Sequence, residues 1–251
     1  MLRSAVIVIL LWLVAGMACA QQPSASRFDG WASAIVAADW RTSRGDPIQA
    51  FDNARRDLTS GFLAAGFPRA DMFDATLRPD VTPVVTAADA INGMRSATLR
   101  ASRGCFLYFT SHGSPEYLVF GPDQRLSPTS MVTLVRELCQ TRPTVVVVSA
   151  CFSGIFVDSL AAPNRMIMTA ARRDRSSFGC SEDATYPYFD ACVISSLPTA
   201  SDFIALANAT RACVKAREEA EGLSPASEPQ VSIGATMQLL LPTLRFNRPP
   251  G

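Results

Sequence analysis

The chain has one histidine, His112, and seven cysteines. A reaction that needs an imidazole must use His112, and a multi-histidine metal site is excluded. Cys151 stands 39 positions further on. Each of the two follows an apolar run. Cys105–Thr110 (CFLYFT) leads into Ser111-His112-Gly113, and Val145–Val148 leads into Ser149-Ala150-Cys151. A thiol attacks as its thiolate, and a nearby imidazole lowers its pKa or takes its proton. Gly113 has no Cβ, so a carbonyl can approach its backbone closely. Its N–H and that of Cys151 would together hold a tetrahedral oxyanion, an arrangement worth about 3–4 kcal/mol in a transition state. Taken singly, a cysteine after a valine run is a small buried hydrophobe and a strand-end histidine is a loop residue. The pair is chemical because both close consecutive apolar strands and small residues follow each. No G-x-S-x-G elbow, phosphate loop, G-x-G-x-x-G or C-x-x-C occurs.

Those ends must be positioned by strands that alternate with helices. Ala34–Ala38 reads as a buried strand, and Asp46-Pro47 as an N-cap followed by a first-turn proline. Phe51, Ala54, Leu58 and Phe62 follow at helical spacing until Gly66. Phe67–Pro83 reads as loop with one short strand, and Thr86–Arg100 as a second helix. Ser127-Pro128 opens a third, with Met131, Leu134, Val135 and Leu138 on one face. Four consecutive valines belong in a sheet covered on both faces. Arg165–Ala171 gives a fifth strand, Ser201–Glu221 the longest helix and Gln230–Ile233 a last strand. This order predicts a three-layer α/β/α domain with a mostly parallel central sheet. Such sheets bind ligands at the carboxyl ends of their strands, where His112 and Cys151 fall.

Hydrophobic residues make up 48% of the 251 and charged residues only 18%, which excludes a disordered polyelectrolyte. With 23 Lys and Arg against 22 Asp and Glu, no basic excess exists to track a phosphate backbone, so nucleic acid is excluded as a partner class. Residues 1–20 read as a signal peptide: Arg3 ahead of the apolar run Ala5–Val14, then Ala18-Cys19-Ala20 as a cleavage site. This predicts an exported protein, periplasmic or secreted, that meets a membrane only through that segment if it is uncleaved. A flexible leader over 21–30, one domain over 31–240 and a tail over 241–251 complete the expected organisation. No metal or cofactor is implied, and the sequence leaves the oligomeric state open.

After cleavage six cysteines remain, an even set suited to disulfides in an oxidising compartment. Cys105 precedes the strand to His112, and Cys139 ends the helix leading to the strand of Cys151. Both fall at the amino end of the sheet, so a Cys105–Cys139 bond is expected. A second bond from Cys180, Cys192 and Cys213 is expected as Cys192–Cys213 in preference to Cys180–Cys192. Cys151 must stay unpaired to act as a nucleophile.

At these residues the sequence resembles the legumain family of cysteine endopeptidases, which share the caspase-like fold. The first block runs from Ser111-His112-Gly113-Ser114 to Leu118-Val119-Phe120, against a family His-Gly-Ser and Leu-Val-Phe. The second is Ala150-Cys151-Phe152-Ser153-Gly154 behind the valines, against Ala-Cys-x-Ser-Gly. A third is Thr169-Ala170-Ala171 before Ser176-Ser177-Phe178. The resemblance spans about Ala34 to Ile233. It implies Cys151 as nucleophile, His112 as general base and acid, and Gly113 as an oxyanion donor, acting on a peptide or protein substrate without a cofactor. For the side chain before the cut bond it implies a basic residue after the first strand, Arg44 with Arg41 as the alternative. It also implies two acids. Asp190 matches one, its plain alternative being a solvated loop carboxylate. Ser149 stands where the other is expected, a departure from the family's asparagine-selective set. A transamidase of the same fold and a non-catalytic binding protein that keeps it are the two alternative readings.

Overall fold

The computed structural model describes residues 26–42 and 44–247. The predicted signal segment and residues 21–25 of the predicted leader lie outside the described residues, as do Ser43 and residues 248–251.

In chain order the elements are β1 (Trp31–Ala37), α1 (Ala50–Ala64), β2 (Met72–Thr76), α2 (Ala87–Arg100) and β3 (Gly104–Thr110). A short hairpin, β4 (Leu118–Phe120) and β5 (Gln124–Leu126), follows, then α3 (Pro128–Cys139), β6 (Thr144–Ser149), α4 (Ile155–Leu160) and β7 (Arg165–Thr169). The chain continues through α5 (Tyr188–Ser196), α6 (Phe203–Ala220), β8 (Gln230–Ile233) and α7 (Ala235–Leu240). The six-stranded sheet has the order β2-β1-β3-β6-β7-β8. Its first five strands are parallel and β8 pairs antiparallel with β7.

Strand periodicity divides the core into two layers. Phe106, Tyr108, Val145 and Val147 join one apolar layer with residues of α1, α5 and α6. Cys105, Leu107, Phe109, Val146 and Val148 join the other, with residues of α2, α3 and α4. The valine run is buried because each face of β6 meets its own helical layer. This is the three-layer α/β/α arrangement with a mostly parallel sheet.

Local chemistry sets the helix starts. Thr86 and Asp89 form a reciprocal capping box at α2, and the Ser127 hydroxyl accepts from the Ser130 N–H ahead of Pro128 at α3. Asp202 accepts from the N–H groups of Ile204 and Ala205 at 3.0 and 2.9 Å and starts α6.

The expectation at Asp46-Pro47 is corrected: α1 starts at Ala50, with Gln49 at its cap. The Thr42 N–H donates to the Asp46 carbonyl and Pro47 bridges to Arg41, so this stretch closes a turn instead of a helix. The region around Cys192, which had no element assigned from sequence, is helical. It forms α5, whose Phe189, Asp190, Cys192, Val193 and Ser196 are all buried. Burial on so many sides erases the polar stripe by which an amphipathic helix is recognised. In the expected leader, Phe28 is fully buried against Phe67 and Phe246; in the expected tail, Leu241, Leu244 and Phe246 join the same core layer. The short β4–β5 hairpin and α4 had no reading in the sequence.

Among the described residues two disulfides are present, Cys105–Cys139 and Cys192–Cys213, with Cα–Cα separations of 5.6 and 5.7 Å. The first fixes the amino end of β3 to the end of α3, and the second joins α5 to α6. Cys151 and Cys180 are free.

Candidate active site

Register brings the two chemical strand ends together. Thr110 on β3 lies opposite Ser149 on β6, and the Ser111 N–H donates to the Ser149 carbonyl at 3.0 Å. Pairing thus continues past both strands, and His112 and Cys151 leave the same carboxyl edge side by side. Gly113 is what permits it: a Cβ there would run into the carbonyl oxygen of Cys151 and meet the Ala150 Cβ at 3.1 Å. The N–H groups of Gly113 and Cys151 have no acceptor among the described residues. They are therefore free to donate to an oxyanion.

The imidazole is oriented from β1. His112 Nε2 lies 2.7 Å from the carbonyl oxygen of Arg41. A carbonyl only accepts, so Nε2 carries the proton and Nδ1 is left with its basic lone pair. Phe51 packs edge-to-face on the ring, with centroids 5.1 Å apart. The Arg41 carbonyl is itself steadied by Asp39. One carboxylate oxygen of Asp39 accepts from the Trp40 N–H and from Arg41 Nε, both at 2.8 Å. The Arg41 guanidinium lies over the Trp40 ring, 4.6 Å from its centroid.

The thiol of Cys151 is half-buried and faces the segment after β7. The Ser177 N–H donates to Sγ at 3.2 Å, and Sγ lies 3.5 Å from the Ser177 carbonyl oxygen. His112 and Cys151 share no direct hydrogen bond. The turn carrying Cys151 is held hard. Phe152 takes a left-handed conformation at φ +57° while its N–H donates to the Arg175 carbonyl at 2.8 Å. The Ser153 hydroxyl donates to the Ala150 carbonyl at 2.7 Å and accepts from the Ala171 N–H at 3.2 Å. These bonds tie the turn of Cys151 to the end of β7.

The expected pocket residues are split. Arg44 is 77% exposed and pairs with Glu182 at 2.8 Å and Asp46 at 3.7 Å. Asp190 is fully buried on α5, so its reading as a solvated loop carboxylate is corrected. Its two oxygens accept from the Tyr108 and Thr110 hydroxyls at 2.5 Å each. Burial pushes its carboxyl from the usual 3.8 up to about 6, opposed by hydrogen bonds from Thr110, Tyr108 and Ser149. Ser149 thus fills the place of the missing acid with a hydroxyl turned to Asp190. No ion pair joins Arg44 to Asp190 among the described residues. Arg41, the alternative, is more enclosed at 28% exposure and is committed to Asp39.

Thr42, Arg44, Cys180, Glu182 and Asp183 line a cavity of about 440 Å³. Burial pushes the Cys180 thiol far up, and the charges of Cys151, Asp190 and Asp39 act in the same sense. Sequence reasoning missed Asp39, Phe51, Ser177 and Cys180. Ser177 lay inside the third block of the resemblance; the other three contribute through contacts that no spacing encodes.

Residues 87–211 match the model of the Peptidase C13 family, a span that contains His112, Cys151, Ser177 and Asp190. No curated protein matches the sequence. Among solved structures, the crystal structure of caspase-1 from Spodoptera frugiperda is similar, with a TM-score of 0.59 at 11% identity. The likeness covers 83% of this chain and 88% of that one. At that identity it carries the fold alone.

Proposed function

Since the chain is a legumain-like cysteine peptidase of caspase-like fold, we propose that it is an endopeptidase acting through an acyl-enzyme on Cys151. One observation carries the mechanism. The His112 Nε2–H is spent on the Arg41 carbonyl, which leaves Nδ1 free, and the adjacent strand end carries the Cys151 sulfur that already receives the Ser177 N–H. Nδ1 takes the thiol proton and the thiolate attacks the peptide carbonyl carbon. The resulting oxyanion lies between the Gly113 and Cys151 N–H groups. His112 returns the proton to the leaving nitrogen, the C–N bond breaks and a thioester forms. Water, deprotonated by the same imidazole, then releases the acid and regenerates the thiol.

The cavity beside Cys180 suits the side chain before the cut bond. Arg44 offers donors at its mouth while Glu182 and Asp183 offer acceptors. A side chain with both functions, such as an amide, is matched better than a lone cation or anion. Export is part of the proposal, supported by the N-terminal signal pattern and by two disulfides of the kind oxidising compartments maintain.

The test is hydrolysis of a peptide library by the purified protein. Cys151→Ala and His112→Ala should each lower kcat by about 10⁴-fold or more, with circular dichroism and melting close to wild type. Full activity in Cys151→Ala would refute the mechanism.

A further inference from the structure

A second concavity opens beside the carboxyl ends of β1 and β2. It has a volume of about 390 Å³, and its walls include Trp40, Leu77, Val84, Val85 and Pro122. Asp123 is the one charged residue in its lining. Val84 is 58% exposed, an unusual exposure among the large hydrophobic residues of this chain. The groove is tied to the catalytic edge by two contacts. Trp40 precedes Arg41, whose carbonyl holds the imidazole. The hairpin turn that supplies Pro122 is anchored by the Gly121 N–H on the Ala38 carbonyl at 2.8 Å.

The sheet order converts this into a position along a substrate. Cys151 follows β6, His112 follows β3, Trp40 follows β1 and Leu77 follows β2, with those strands in the order β6, β3, β1, β2. Neighbouring strands lie about 4.8 Å apart, so the groove is about 10–14 Å from the nucleophile's strand. His112 stands between them. A general acid must reach the leaving nitrogen, so the substrate chain after the cut bond runs across His112 toward β1 and β2. An extended peptide advances about 3.4 Å per residue. The groove therefore meets the third or fourth residue after the cut bond.

We infer that this groove is a leaving-side subsite that selects a large apolar side chain, Leu or Phe, at that position. The inference rests on the peptidase reading and adds a specificity determinant that its primary pocket does not contain. The apolar walls gain from desolvating such a side chain, and Asp123 disfavours an acidic one.

Two substrate sets test it on the full-length enzyme, sharing one acyl-side sequence. One ends in an aminocoumarin amide, with nothing after the cut bond. The other carries five residues after it, varied one at a time. At the third or fourth position Leu or Phe should exceed Asp in kcat/KM by about tenfold or more. Val84→Asp should lower the ratio of long-peptide to aminocoumarin kcat/KM by about tenfold. Val84→Lys should move the preference at that one position toward Asp and Glu, which loss of folding cannot do. A flat profile over peptides that are cleaved, or a Val84→Lys profile identical to wild type, overturns the subsite and leaves the peptidase standing. Hydrolysis of neither substrate set overturns the peptidase reading and the subsite with it.

Discussion

Replacing Asp190 by Asn removes a carboxylate that is buried without a cationic partner, and the consequence is a pH signature in stability. The Asp190 carboxyl is fully buried, and burial raises it from 3.8 to about 6. The hydroxyls of Tyr108, Thr110 and Ser149 recover only part of that cost. A carboxyl raised on folding binds its proton more tightly in the folded state. Its favourable contribution is complete below pH 3.8, falls as pH rises and is gone above about 6. A shift of that size corresponds to about 3 kcal/mol. Urea titrations of wild type and Asp190→Asn between pH 3.5 and 7.5 would measure it. Both proteins share every other titrating group, so those cancel in the difference. The wild type should lose about 3 kcal/mol relative to the variant across that range, with most of the change between pH 4 and 6. Parallel curves would mean that the carboxylate is stabilised in the fold as well as in water. A difference that grows in the opposite sense would mean its pKa is depressed, and either result refutes the burial argument.

Two further outcomes follow from the same geometry. Gly113→Ala places a Cβ against the Cys151 carbonyl, so the ends of β3 and β6 must part; stability should fall by about 1–3 kcal/mol, and kcat by about 10²-fold or more if an oxyanion donor is displaced. Paired replacement of Cys105 and Cys139 by Ala opens a loop of 34 residues and should cost about 4 kcal/mol in non-reducing urea titrations. A cost within 0.5 kcal/mol of zero, roughly the range of a neutral surface change, would refute the loop-entropy account.

The frame of the molecule was legible because its signals are local. The valine run of β6, the capping residues Thr86 and Ser127, and the apolar spacing of α1 and α3 each declare an element within a few residues. The disulfide Cys105–Cys139 was legible for a related reason: once β3 and β6 are neighbours, both cysteines fall at one end of the sheet. Asp46-Pro47 misled because its local pattern is that of a helix start, whereas the bridge from Pro47 to Arg41 depends on where β1 ends. Helix α5 was lost because burial removes the polar face that periodicity needs.

The site divides along the same line. His112, Cys151 and Gly113 could be read from sequence because each closes a strand, and strand ends are countable. The groups that tune them could not. The proton on His112 is fixed by a backbone carbonyl at Arg41, and every residue has such a carbonyl. The sulfur of Cys151 is met by a backbone N–H at Ser177, and every residue but proline has that too. The resemblance implied a basic side chain after the first strand, Arg44 with Arg41 as the alternative. Arg41 instead reaches the imidazole through its main chain, and Arg44 stands at the cavity's mouth. In the proposed mechanism the reacting atoms belong to side chains that the sequence names, and those side chains are held by main-chain groups that only the packing after β1 and after β7 can place.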